Sequence, residues 1–170
     1  MELKTDRFLL REIVATDIDK VFEGLSHPLV IKHYGVSFSS LEATKEQMYW
    51  FEQPSQQWFA ICSPENEIFF GAGGLNDIDL NVGRAEIGLW LLPEHWGKGI
   101  MKEVLPFIAN YGLNTLKLNR IEGFVESENV NCKRAMAKLD FQLEKTIANF
   151  EEKDGKPISV DLYVKSKSDN

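Results

Sequence analysis

The stretch from Arg84 to Met101, RAEIGLWLLPEHWGKGIM, decides how the chain is read. Its first half alternates as a strand does. Ala85, Ile87, Leu89 and Leu91 fall on one face, and Glu86, Gly88, Trp90 and Leu92 on the other. Pro93 cannot donate to a ladder, so the strand is expected to end there. Trp96-Gly97-Lys98-Gly99 follows, and then a run with helical periodicity. A Gly-rich turn that opens a helix presents free backbone N–H groups and the positive end of the helix dipole. Glycine lets a ligand approach the main chain closely, and Lys98 adds a positive charge. Such a turn suits an anion, phosphate above all. The plainer alternative is a tight strand-to-helix corner with no ligand.

Two widespread phosphate motifs do not fit. In the GxxxxGK(S/T) frame Lys98 is followed by Gly99 and the opening position is Leu92. In the GxGxxG frame the third glycine would be Lys102. The segment AEIGLWLLPEHWGKGI instead resembles the cofactor-binding segment of the GNAT N-acetyltransferases. Within that family it is similar to the branch of the ribosomal-protein N-terminal acetyltransferases (RimJ/RimL-like). Trp96 stands at the Gln/Arg position of the family pattern (Q/R)-x-x-G-x-(G/A), and Met101 at its last small residue. A second segment, Glu128 to Cys132 and on through Lys138-Leu139-Asp140-Phe141, resembles the family's N-x-x-S and K-L-G-F signature. There Cys132 takes the serine position and Asp140 the glycine.

Composition sets outer bounds. A chain of 170 residues fits one domain, here 1–170, large enough for a real core. Hydrophobic and charged fractions of 44% and 26% are ordinary for a globular protein. A net charge of −7 and a pI near 5.0 argue against a nucleic-acid surface and favour a cationic partner. Cys62 and Cys132 form no CxxC pair, and neither they nor His27, His33 and His95 show metal-ligand spacing, so no metal is assigned. The start, MELKTDRFLL, lacks a signal-peptide core, and no apolar run would span a membrane. A soluble, cytoplasmic protein is expected.

Taken in order, Thr5 to Arg11 reads as a strand, similar to the TDRLxLR opening of many members of that branch. Thr16 is the expected cap of a helix carrying Ile18, Val21, Phe22 and Leu25, broken at Ser26-His27-Pro28. His33-Tyr34-Gly35 reads as loop. Ser39 and Glu42 fit a capping box for a helix with Leu41, Met48 and Phe51. Gln57 to Ser63 and Ile68 to Leu75 read as strands about a Pro64-Glu65-Asn66 turn. Gly71, Gly73 and Gly74 point to a bulge or a close backbone approach. Asn81-Val82-Gly83 turns the chain into the central strand.

Beyond the glycine loop, Ile100, Val104, Phe107, Ile108 and Tyr111 mark a helix face, with a kink expected at Pro106. Leu118 to Val125 is a strand, and Cys132, Ala135, Met136 and Leu139 mark a shorter helix. Phe141 to Phe150 and Ile158 to Val164 form a hairpin across Lys153-Asp154-Gly155-Lys156, with a polar tail from Ser166 to Asn170. This order is α+β, or mixed α/β. It matches the GNAT layout along the whole chain, which implies a mostly antiparallel sheet of seven strands or so with four helices.

The resemblance implies acetyl-CoA as cosubstrate, lying between the central strands near Leu89–Leu92 and Ile121–Val125. It places the pyrophosphate on Trp96, Gly97, Lys98, Gly99, Ile100 and Met101, and the pantetheine arm on the backbone of Leu91 beside Leu92. Asn129, beside Cys132, would hydrogen-bond the cofactor or simply cap a helix. Cys132 also fits plain packing on its apolar face.

Amide formation from a thioester needs a neutral amine, a polarised carbonyl and a protonated leaving thiolate. Glu86 stands in the AEI context where several family members carry their general base, and burial would raise its pKa in the useful direction. The alternative is a half-exposed carboxylate paired with Arg84 or Lys98. The family's proton-donating tyrosine falls at Met136, which leaves water to serve.

The resemblance places the acceptor against the first two helices and their loop, which offer His33, Tyr34, Tyr49, Trp50 and Phe51, with Trp90 of the central strand a further candidate and Glu42, Glu46 and Glu52 near by. Aromatic walls with carboxylates suit a cationic amine or peptide. Those aromatics could equally be core. Deprotonating an α-amine of pKa about 8 at neutral pH costs about 1.4 kcal/mol, against about 4.6 for a lysine at about 10.4. A sparse acid–base set therefore leans to a protein N-terminal α-amine. A small amine (polyamine or aminoglycoside) and a non-catalytic CoA-binding domain are the competing readings, and a homodimer is compatible with either.

Overall fold

In the computed structural model, which describes residues 1–167, eight strands form one sheet in the order β1-β2-β3-β4-β5-β6-β8-β7. The strands are β1 (Glu2–Lys4), β2 (Leu9–Glu12), β3 (Gln57–Cys62), β4 (Phe69–Asp79), β5 (Arg84–Leu91), β6 (Arg120–Glu126), β7 (Gln142–Lys153) and β8 (Lys156–Ser166). The helices are α1 (Ile18–Ser26), α2 (Pro28–Ile31), α3 (Leu41–Phe51), α4 (Ile100–Asn110) and α5 (Val130–Lys138). Every neighbouring pair of strands is antiparallel except β5 and β6. The architecture is mixed α/β with a mostly antiparallel sheet, as the family resemblance implies. The last three residues of the expected polar tail lie outside the described residues.

The count exceeds the expected one by a strand and a helix. Thr5 to Arg11 is not one strand. Thr5 turns the chain, its N–H donating to the Phe8 carbonyl at 2.9 Å, and β1 and β2 pair about that turn. The extra helix is α2, with Pro28 in its first turn and the His27 ring Nδ1 accepting from the Leu29 N–H at 3.1 Å. Two caps also differ from expectation. Asp17, not Thr16, organises the start of α1, its carboxylate accepting from the Val14 N–H at 2.8 Å and from Arg11. Ser40, not Ser39, caps α3, its hydroxyl accepting from the Ala43 N–H at 3.0 Å.

The sheet is covered on both faces. On one, Ile100, Val104 and Ile108 of α4 pack on Phe59, Ile61, Ile87 and Ile121. On the other, Val21 and Leu25 of α1 pack with Trp58, Ala60, Trp90 and Leu92. Each Val, Leu, Ile or Phe among them stabilises the fold by about 1.5–3 kcal/mol when fully buried. Helix α4 continues through Pro106 to Asn110 and then widens into a π-turn over Tyr111–Thr115. The glycines of β4 answer a close approach. A side chain at Gly74 would meet the Gln57 carbonyl at 2.3 Å, and one at Gly71 the Trp90 carbonyl at 2.1 Å. A bulge adjoins Gly71 as well, where Ile61 pairs with Gly71 and Cys62 with Phe69, and another lies at Asn76/Asp79.

The parallel ladder positions the site. β5 and β6 are in register at three pairs only, Arg84 with Arg120, Ala85 with Ile121 and Glu86 with Glu122. Both strands run on beyond Glu86 and Glu122 with no further registered pair, so a V opens between them.

Candidate active site

The glycine loop closes the end of β5. Leu92 is extended, and Pro93–His95 makes a single 3-10 turn. Gly97 and Gly99 both take left-handed φ, 78° and 76°, which side chains disfavour, and Gly99 is the residue before α4. A β-carbon on Gly97 would meet nothing within 4 Å, so this side of the loop is open. Trp96 is half exposed, and its indole N–H donates to the Leu91 carbonyl at 2.9 Å, tying the loop back to the strand. The Lys98 ammonium stands 3.4 Å from His95 Nδ1. Burial lowers the His95 pKa, and Lys98 and Lys20 add to that against the opposing charge of Glu94. Ile100 is buried in the core and Met101 packs against it, so these two have only main-chain N–H to offer an anion. Leu92 corrects the expected cofactor set. Its side chain is buried, its N–H donates to the Phe70 carbonyl, and its own carbonyl accepts from His95.

Glu86 lies where the strands part. The Asn76 side-chain amide donates to it at 3.2 Å, and its pairing partners are Asn76 on β4 and Glu122 on β6. Burial raises its pKa, the Asp77 and Glu122 charges add to that, and the Asn76 hydrogen bond opposes it only partly. The expected alternative partners are engaged elsewhere, Arg84 with Glu122 at 3.6 Å and Lys98 with His95. Arg120 also holds Glu122, at 3.0 Å. A cleft of about 370 Å³ opens over Glu86, lined by Asp77, Arg84, Glu122, Phe124 and Phe150 among others. Phe124 and Phe150 stack with centroids 5.6 Å apart. These flanking residues escaped the sequence reading. The one signal was alternation in LNRIEGFV, which sets Arg120, Glu122 and Phe124 on one face.

Of the acceptor candidates, Tyr34 comes close to the Glu86 face of β5 at Gly88, and Trp90 is buried beneath α1. The Tyr34 hydroxyl lies 3.9 Å from the position a β-carbon would take on Gly88. Burial, and secondarily the Glu86 charge, pushes its pKa well up, so it remains a neutral donor. His33 bonds Glu126 at 3.0 Å, and Lys153 reaches both Glu126 and the Lys32 carbonyl, pinning the loop after α2 to the β7–β8 hairpin. Trp90 is buried core, seated on Gly24 and Phe69, because α1 crosses that face of β5. Trp50 packs edge-to-face on Trp58, 5.9 Å between centroids.

Across the V, the α5 side offers no acid at the tyrosine position. Met136 is buried against Gly123. Asn129 caps α5, its side-chain oxygen accepting from the Cys132 N–H at 3.2 Å, which leaves the amide NH₂ outside that bond. Burial pushes the Cys132 thiol up to about 11, and the side chain packs on the core. The Ser127 hydroxyl donates to Asp161 at 2.7 Å.

A sheet splayed at its one parallel pair, with a glycine loop feeding a helix beside the splay, is the frame of an acyl-CoA acetyltransferase. The chain belongs to the GNAT acetyltransferases: the family described as acetyltransferase (GNAT) domain matches residues 7–142. It is 32% identical over 166 residues to the uncharacterized N-acetyltransferase p20 of Bacillus licheniformis, covering 95% of this chain and 93% of that one. It is 29% identical over 167 residues to the uncharacterized N-acetyltransferase YoaA of Bacillus subtilis, covering 95% and 94%. Among solved structures, a GNAT-family acetyltransferase from Bacillus anthracis superposes with a TM-score of 0.85 at 22% identity, covering 98% of each chain. A spermidine N-acetyltransferase from Vibrio cholerae, solved with CoA and spermine, gives 0.86 at 17% identity, covering 94% and 95%. The protein is an N-acetyltransferase, and its family uses acetyl-CoA. No helix among the described residues is long and apolar enough to cross a membrane.

Proposed function

We propose that the enzyme transfers the acetyl group of acetyl-CoA to the primary amine of a small cationic acceptor bound in the cleft over Glu86. The observation that carries this reading is the placement of Glu86. It stands at the mouth of the V with Asp77 beside it, its one hydrogen bond coming from a neutral amide and its pKa raised. Arg84 pairs with Glu122, as does Arg120, and Lys145 also lines the cleft beside the carboxylates of Asp77, Glu86 and Glu122. A carboxylate so placed draws an ammonium in and then takes its proton, the two things an amine acceptor needs.

The donor would lie in the V, with its pyrophosphate on the N–H groups from Gly97 to Met101 and the charge of Lys98. The free amide NH₂ of Asn129 faces a carbonyl of the arm in this reading. Acetyl-CoA supplies the activated thioester. Glu86 takes the ammonium's proton and passes it to solvent, and the neutral amine attacks the thioester carbon. The nitrogen's second proton goes to Glu86 as the C–S bond breaks, and a water that recovers that proton from Glu86 protonates the thiolate. The Tyr34 hydroxyl, at Gly88, donates a hydrogen bond on the acceptor side.

The N-terminal α-amine implied by the branch resemblance is the second reading, and the absence of an acid at position 136 is what favours it. The two separate on a panel ranked by kcat/KM: spermidine, the substrate named for the Vibrio cholerae neighbour, an aminoglycoside, and short peptides with free or blocked N-termini. Small amines should outrun every peptide by an order of magnitude. Peptides with a free N-terminus leading instead would overturn the small-amine assignment and leave the donor site untouched.

A further inference from the structure

We infer that the N-terminal turn Thr5–Arg7 is a brace that aims the main-chain N–H groups of the glycine loop at the acyl donor, with Arg7 as the positioning residue. This rests on the donor site proposed above. The Arg7 guanidinium donates to two successive carbonyls of the loop, Lys98 at 3.3 Å and Gly99 at 3.2 Å. In a planar trans peptide the C=O and the following N–H point in opposite directions. Turning the Lys98 and Gly99 carbonyls towards Arg7 therefore turns the Gly99 and Ile100 N–H groups away from it. That is the side on which an anion meets the N-terminus of α4.

The guanidinium is itself held. Its Nε donates to Glu103 at 2.7 Å and the Arg7 main-chain N–H to the same carboxylate at 2.9 Å. The Thr5 hydroxyl adds a third donor to Glu103, and the Phe8 N–H closes the turn on the Thr5 oxygen at 3.1 Å. Glu103 lies in the first turn of α4, where a bare carboxylate would repel phosphate. Burial alone would raise its pKa, but the bonds from Thr5 and Arg7 outweigh that and hold it below its ordinary value. Its charge is thus committed to Arg7 before any donor arrives. Gly99 fits the same geometry, because a β-carbon there would press on Arg7 Nη2 at 3.3 Å.

The Arg7–Glu103 pair is partly exposed, 53% and 22% at the two side chains, and such pairs add little to stability, so variants should fold. The test is calorimetric titration of the full chain with CoA, which needs no acceptor. Arg7→Ala should weaken binding about tenfold, because the loop is no longer pre-organised. Arg7→Lys keeps the charge but lacks the planar fork, so it should fall nearly as far. Glu103→Gln should give a smaller loss. In turnover, KM for acetyl-CoA should rise with the acceptor KM and the saturated kcat unchanged. Arg7→Ala within about twofold of the wild type, or full rescue by Arg7→Lys, would overturn the brace. If Gly99→Asp abolishes binding while Arg7→Ala does not, the donor site stands and the brace falls. If the wild type binds no CoA, the donor site falls too.

Discussion

Glu86 and Glu122 stand side by side as the last registered pair of the ladder joining β5 to β6. Two carboxylates on one face at that spacing cannot both be equally comfortable ionised. Arg84 and Arg120 pair with Glu122, and the Glu86 pKa is raised by burial first, then by the Asp77 charge, with the Glu122 charge adding least. The fold thus produces a raised carboxyl at the point where its central strands part.

Glu86→Gln keeps the side chain's size and removes the base. At neutral pH the acetylation rate should fall by about 10²–10⁴-fold, with partial recovery as pH rises and free amine becomes abundant. A pH–rate profile of both proteins checks this, and wild-type turnover across the range would leave Glu86 a structural residue.

The same shift has a consequence for stability. A carboxyl whose folded pKa is raised makes the folded state bind more protons than the unfolded one between the two values, so stability falls as pH rises through that window. Glu86→Gln removes this burden. The variant should gain in Tm at neutral pH, and the gain should shrink below the ordinary carboxylate range. An equal effect at all pH values would contradict the assigned environment.

Gly99→Asp should cut CoA affinity at least tenfold, about 1.4 kcal/mol or more. It places a carboxylate and a side chain at a left-handed position in the anion loop. Circular dichroism confirms folding, and titration reads the affinity. An unchanged Kd in a folded variant would move the pyrophosphate elsewhere.

Far from the site, Asp17 anchors the start of α1. It is 7% exposed and takes both guanidinium nitrogens of Arg11 at 2.8 Å. Asp17→Ala strands the Arg11 charge, and denaturant unfolding should show a loss of about 3–5 kcal/mol. A loss typical of an exposed pair would mean that water reaches Arg11 freely.

Alternation and glycine placement made most of the fold legible. The period of two in RAEIGLWL and the glycines of WGKG located the central strand and its loop, and Ile100, Val104 and Ile108 gave the face of α4. Local cap signals were less informative. Thr16, Asp17, Ser39 and Ser40 are all competent oxygen acceptors, and tertiary partners such as Arg11 choose among them. The short α2 was hidden by its Pro28, which reads equally as a helix break or a first-turn residue. At the site, Glu86 is picked out by the family resemblance of its AEI context, its strand pattern giving only the face it occupies. Asp77, Phe124 and Phe150 reach it from three other places in the chain, and no local spacing announces that. Trp90 misled because an aromatic on the strand face of Glu86 looks like an acceptor wall until α1 is seen to cover it.

The most direct test of the central claim is stoichiometry at neutral pH with spermidine as acceptor. Free CoA thiol is followed while acetylated amine is quantified by mass spectrometry, for the wild type and Glu86→Gln. The account predicts one thiol released for each acetyl group on nitrogen, with both falling together in the variant. Thiol release without acetylated amine, or equal transfer by the two proteins, would contradict it.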